Sequence, residues 1–263
     1  MPRGIDSSTG ADVPEDRLAA LQRAGVTLAW GAATDIGRRA ENQDSHLAQP
    51  PVFAVADGMG GHAEGAQASA TLVEWLGRVT GELTADTLRQ AVREADQHIR
   101  EVARAAGNRQ GMGTTVAGVA VVETDRGPAW AVFHMGDSRA YLLAEGRLSR
   151  ISTDHSVVQE LVDGGMITEA DAVDHPQRHL ITRALGVGPP SEADLTLLPI
   201  HPGERFLLCS DGLTGELRDD ELADLLGAAD DPETVAKHLV AAAVDRGASD
   251  NVTAVVVDVL PAA

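Results

Sequence analysis

The chain has 263 residues, 43% apolar but only 3% aromatic, so one large domain can form and its core must be Val, Leu, Ile and Ala. Its 21 basic and 40 acidic side chains leave a net charge of −19, which argues against nucleic acid and anionic membranes as partners, since both reward basic patches. A single cysteine, Cys209, excludes an internal disulfide framework, and neither a signal-peptide core nor a run of the ~18 apolar residues of a membrane helix is seen; a soluble, cytoplasmic protein is expected.

Residues 1–13 are polar and read as a disordered leader, and 14–24 as a short helix stopped by Gly25. Strand character follows over 26–33, then a polar run, TDIGRRAENQDS, over 34–45 that reads as a loop or a strand margin, then an apolar strand over 52–56. Helices are predicted over 63–79 and 85–106, the second from Leu88, Val92, Ala95, Ile99 and Val102 at 3–4 spacing. Strands over 114–122, 129–135 and 140–143 come next, with turns at Asp125-Arg126-Gly127 and Glu145-Gly146. An irregular insert over 154–185 holds helical patches at 157–162 and 169–173, broken by Gly164-Gly165 and Pro176. Strands over 195–198 and 205–209, helices over 220–226 and 232–245, and a strand over 252–259 complete the chain. The order is not a strict βαβ alternation, so a doubly wound sheet is not expected; paired helices between groups of strands suit two stacked antiparallel sheets with helices outside, in one domain.

The chemistry centres on 52–65, VFAVADGMGGHAEG. A carboxylate, Asp57, ends an apolar strand beside glycine-rich backbone, a natural place to hold a hard cation; Asp-Gly also fits a plain tight turn. Three more apolar runs border on aspartate: Asp137 after AVFHMG, Asp211 after RFLLCS, and Asp250 before NVTAVVVDV. Four such margins suggest that one rim of the sheets collects carboxylates, costly as bare charges and relieved by divalent ions. Oxygen donors favour Mg²⁺ or Mn²⁺ over zinc, and the zinc-like pair His175 and His179 is interrupted by Pro176. Two metals bridged by one aspartate can hold a hydroxide and direct it in line at phosphorus. Arg38 and Arg39 offer guanidinium forks for a phosphate, although such a pair also fits a solvated surface.

Rival chemistries fail on the residues. A cysteine phosphatase needs an arginine six places after its cysteine, where Cys209 has Gly215. Ser138 in Gly136-Asp137-Ser138-Arg139-Ala140 lacks the last glycine of a nucleophile elbow and leads into strand-like sequence. Neither a P-loop nor a dinucleotide fingerprint is present.

In this order, RRAENQD, ADGMGGH, GMGTT, HMGDSRAY, LLCSDGL and SDNVT resemble the bacterial metal-dependent Ser/Thr protein phosphatases of the protein phosphatase 2C type, from about residue 26 to 259. The resemblance implies an α+β fold, a four-layer αββα sandwich of two central antiparallel sheets flanked by helices, with a flexible leader over 1–25 and a catalytic domain over 26–260. It implies Mn²⁺ or Mg²⁺ at a two-metal centre with a third, weaker ion. Matched residue by residue, Asp57 bridges the metals, Gly58 adds its carbonyl, Asp211 and Asp250 complete the pair, and Asp137 with Asp211 resembles the third site. Arg39 matches the phosphate-binding arginine, and Asp44 the acid that positions a metal-bound water. Gly113 and Thr114 look structural, and Asn251 looks like a support for the loop around Asp250.

Two positions depart from the pattern. Gln43 stands where many relatives carry glutamate, which predicts a looser second metal; Met59 stands where eukaryotic members often carry a histidine proposed as general acid. His62 receives no role. The insert corresponds to the family's flap, at about 154–190, a mobile loop that helps choose substrates. The expected activity is hydrolysis of phosphoserine and phosphothreonine on proteins by a metal-bridging hydroxide, with Ser/Thr kinases and their substrates as partners of a monomeric enzyme. The alternatives are a catalytically dead phosphoprotein-binding module of the same fold and a phosphatase dedicated to one regulator.

Overall fold

A computed structural model describes residues 6–8, 17, 21, 22, 24–60, 63–79, 83–105, 107, 111–229 and 231–261. Its first sheet is built from β1 (Asp6–Ser8), β2 (Thr27–Asp35), β8 (Arg139–Ala144), β9 (Arg147–Arg150), β11 (Arg205–Cys209) and β12 (Val252–Leu260), in the order β1-β2-β12-β11-β8-β9. The second runs β10-β7-β6-β4-β3, from β3 (Asp44–Gln49), β4 (Val52–Met59), β6 (Val116–Thr124), β7 (Gly127–Met135) and β10 (Asp194–Leu198), with the two-residue β5 (Gly113–Thr114) on β4. Neighbouring strands in both sheets pair antiparallel.

Period-two alternation explains the layers. On β4, Phe53 and Val55 join a core with Val119 and Val132 of its own sheet and Phe206, Leu208, Val255 and Val257 of the other. Val52, Ala54 and Ala56, one residue out of phase, face Leu72 and Leu76 of α1 (Ala63–Gly77) and Leu88, Val92 and Ile99 of α2 (Ala85–Ala105). On β12, Ala254 and Val256 meet α6 (Asp219–Gly227) and α7 (Pro232–Asp245) through Leu222, Leu239 and Val240. Strands buried on both faces read as continuous apolar runs. With few aromatics, Trp130 packs edge-on against Phe206 at 5.1 Å between the sheets. The result is the expected αββα sandwich.

The insert contributes α3 (Val157–Asp163), capped by Ser156, and α4 (Glu169–Val173), which opens with a Thr168–Asp171 capping box. Sequence patterning misses β3, which begins within the polar run 34–45, β9, which follows the Glu145-Gly146 turn, and α5 (Asp211–Thr214). Within the expected leader, Asp6–Ser8 pair with Thr34–Ala32; most of 1–25 and His62 lie outside the described residues. Among the described residues no helix is long and apolar enough to cross a membrane.

Candidate active site

Antiparallel pairing brings the end of one strand beside the start of the next, and this places the singled-out acids at one end of the sandwich. Asp44 opens β3 directly opposite Asp57 near the end of β4. Asp137 follows β7, Asp211 opens α5 just after β11, and Asp250 precedes β12. The two sheets therefore converge their acids from five separate segments. Asp57 feels the charges of Asp44, Asp211, Asp137 and Asp250, in that order.

The backbone around Asp57 is held from several sides. Its N–H donates to Thr115 Oγ1 at 3.0 Å, and its carbonyl accepts from the Thr115 N–H at 2.9 Å and from Thr114 Oγ1 at 3.0 Å. Gly58 donates its N–H to the Gln43 carbonyl at 3.1 Å, and a Cβ at 58 would stand 2.1 Å from the Gly65 oxygen, so only glycine lets β4 and α1 meet here. The GMGTT threonines thus support the site, as expected of a structural motif. Asn251 does more than steady Asp250: its Nδ2 donates to the carbonyls of Ile36 and Glu41, both at 2.9 Å, and its Oδ1 accepts the Gln43 N–H at 2.8 Å. It fastens the Arg38-Arg39 loop to the start of β12.

The electrostatics are those of an unbalanced pit. Burial, reinforced by Asp211 and Asp250 against hydrogen bonds from Thr253 and Ser210, pushes the Asp44 carboxyl up to about 7. Burial with Asp211 and Asp154 pushes Asp137 up to about 7. Asp57 is raised well above its ordinary value, by burial and then by Asp44, and Asp211 is raised by burial and then by Asp250. Asp44 Oδ2 accepts from Ser210 Oγ and Thr253 Oγ1, both at 2.7 Å, yet its Oδ1 is buried without a partner, and so is Asp211 Oδ1. A buried carboxylate oxygen without a partner costs free energy, and two among like-charged neighbours cost more. An oxygen-only donor set with spare lone pairs fits hard divalent cations such as Mg²⁺ or Mn²⁺.

Arg39 reaches the pit but holds an acid: its Nε and Nη2 donate to the two oxygens of Asp250 at 2.8 and 2.6 Å, with the arginine side chain 59% exposed. The Gln43 side chain lies beside Gly65, where a Cβ would come within 2.7 Å of its Oε1.

The rivals occupy other places. Ser138 is fully buried with its Oγ 2.6 Å from Thr115 Oγ1, and it leads into β8, not a helix. Cys209 lies in the core, where burial pushes its thiol up to about 12. His175 and His179 belong to the insert, and His179 lies near enough to Asp211 to act on its carboxyl. One cluster was not legible in the sequence: His134, His155 and Asp194 meet at the neck of the insert, from segments far apart in the chain.

The protein phosphatase 2C family profile matches residues 33–246. The Ser/Thr protein phosphatase PstP of Mycobacterium tuberculosis is 39% identical over 246 residues, covering 91% of this chain and 46% of PstP; the chain thus spans about half the length of that relative. A putative protein phosphatase 2C-type protein of Streptococcus pyogenes is 37% identical over 84% of this chain and 93% of its own length. A crystal structure of the PstP catalytic domain in complex with two manganese ions aligns with a TM-score of 0.80 at 36% identity, over 89% of this chain and 99% of that one. With that fold, a rim of converging aspartates and a profile spanning most of its length, the chain belongs to the protein phosphatase 2C family.

Proposed function

We propose that this chain is a metal-dependent serine/threonine protein phosphatase, with its catalytic domain over 26–260 and Asp57, Gly58, Asp137, Asp211 and Asp250 as its metal ligands. The observation that carries this reading is the convergence of aspartates at one end of two sheets, two of their oxygens buried without a partner. Asp57, which feels every other acid of the pit, would be the central ligand of such ions, and Asp137 and Asp211 would hold a further one. Divalent ions held there would supply a water acid enough to lose its proton near neutrality and charge to stabilise the phosphoryl oxygens. Everything else falls to the chain. Asp44, steadied by Ser210 and Thr253 through one oxygen, keeps Oδ1 free to orient the attacking water. The Arg39 fork, now on Asp250, is placed to meet a phosphate once the pit's charge is otherwise balanced.

The substrates that fit are phosphoserine and phosphothreonine on proteins, including Ser/Thr kinases and their targets, and the setting is the cytoplasm, with the protein acting as a monomer. The test is hydrolysis of a phosphothreonine peptide with Mn²⁺ or Mg²⁺, stopped by chelator and restored by the ion. Turnover that ignores chelator sinks the metal reading; absence of any turnover in folded, manganese-loaded protein favours a binding module.

A further inference from the structure

The neck of the insert carries a second cluster of titratable groups. His155, 9% exposed, opens the insert; Thr182 and Arg183 close it. The His155 N–H donates to the Gly136 carbonyl at 2.8 Å, and the Gly136 N–H returns to His155 Nδ1 at 3.1 Å. The His155 carbonyl accepts from the Thr182 N–H at 2.7 Å, while Nε2 faces Asp194 Oδ2 at 3.3 Å and Arg183 Nη1 at 2.7 Å. One residue therefore touches both ends of the insert and the glycine directly before Asp137. Gly136 has a φ of +108°, in a region L side chains rarely adopt, so this turn requires glycine.

The atoms decide what the cluster does. His134, His155 and Asp194 offer ligand atoms within 4.8 Å of one another. A cation there would meet the Arg183 guanidinium, and Nε2 could ligate it only if Nδ1 carried the proton, against the Gly136 N–H. The His134 ring stacks on His155 at 4.6 Å, and its Nε2 pairs with the Thr153 carbonyl at 2.6 Å. Burial, His134 and Arg183 hold His155 below the ordinary imidazole value. A neutral ring has one acceptor nitrogen, but two N–H groups, from Gly136 and Arg183, point at the ring. Arg183 has other acceptors, Asp194 Oδ1 at 2.9 Å and the Glu192 carbonyl. The Gly136 N–H is buried, and the backbone pairing fixes its direction toward Nδ1.

We propose that His155 is a positioning residue: by accepting the Gly136 N–H at Nδ1 it fixes the turn that presents Asp137 to the acid pit and locks that turn to both ends of the insert. The inference rests on the phosphatase reading for its kinetic consequence but not for its structural one. Asparagine places an oxygen near Nδ1, and glutamine places one near Nε2, so His155→Asn and His155→Gln separate the two acceptors while both stay polar. With an aryl phosphate and Mn²⁺, H155N should keep kcat within about threefold of wild type and H155Q should lose about tenfold, with KM little changed, the size typical of partners behind metal ligands. In chelator, hydrogen exchange of a peptide spanning 134–139 should be as slow in H155N as in wild type and about tenfold faster in H155Q, a shift of ~1.4 kcal/mol in opening. Equal behaviour of the two variants, the reverse order, or an exchange difference without a kcat difference overturns the proposal. If wild type shows no turnover, the phosphatase reading falls, and the exchange contrast alone decides the role of His155.

Discussion

Two sets of aspartates in this molecule are treated in opposite ways. Asp258 on β12 is gripped by Arg205, whose Nε and Nη2 donate at 2.6 and 2.7 Å, and Arg205 Nη1 also donates to the Ala229 carbonyl. Asp96 on α2 is held by Arg100 Nε at 2.8 Å, and Asp154 at the mouth of the insert by Arg139 through three contacts of 2.7–3.1 Å. Each of these acids is balanced by its own arginine. At the other set Asp44, Asp57, Asp137 and Asp211 face chiefly one another, and two of their oxygens have no partner. The same residue type supports the fold where it is paired and is poised for a ligand where it is not.

Asp57→Asn and Asp211→Asn attack the unbalanced set directly. Each should lower turnover by about 10³-fold or more, as loss of a metal-clamping group does. Each should also raise the melting temperature in chelator, because a like charge leaves the pit; a fall would mean the acids are not in conflict. Manganese at 100 times its dissociation constant should stabilise wild type by about 2.7 kcal/mol and the two variants by less, read as a shift in melting temperature.

Arg205→Ala attacks the balanced set. It should cost about 3 kcal/mol in a denaturant titration by leaving Asp258 buried and unpaired, while kcat per folded molecule stays at the wild-type level. A loss of kcat would erase the distinction between the two sets. Arg39→Ala lies between them: about 1.5 kcal/mol, roughly tenfold, should appear in KM with manganese uptake intact. Unchanged KM would confine Arg39 to its pairing with Asp250.

The smallest effect belongs to a surface pair. Arg246 lowers the Glu221 carboxyl to about 2 from an ordinary 4.5. A depressed carboxyl stabilises the fold above its unfolded value, and that contribution disappears as pH falls through the folded one. The stability difference between wild type and Glu221→Gln should therefore be constant near neutrality and shrink between pH 4.5 and 2. A difference that grows on acidification would reverse the assignment.

Most helices were visible as 3.6-residue patterns, and the buried strands as apolar runs. What escaped was short or polar on its face. β3, DSHLAQ, is half-buried and opens in a polar loop; β9, RLSR, lies at a sheet edge; α5 is a single turn whose first residue is Asp211. Such elements exist because neighbouring strands and the acid pit supply their partners, and periodicity cannot report a partner that lies elsewhere in the chain.

The order of the motifs and the aspartates at strand margins follow from the residues themselves, because aspartate is disfavoured in strands and glycine is demanded at tight approaches. Which aspartates end up paired with arginine, that the Arg39 fork rests on Asp250, and that His155 joins Gly136 to the insert's neck are matters of long-range register. Hydrogen bonds and like charges act through space over a few ångströms, so only the folded arrangement decides which acids lie close together and which find a cation.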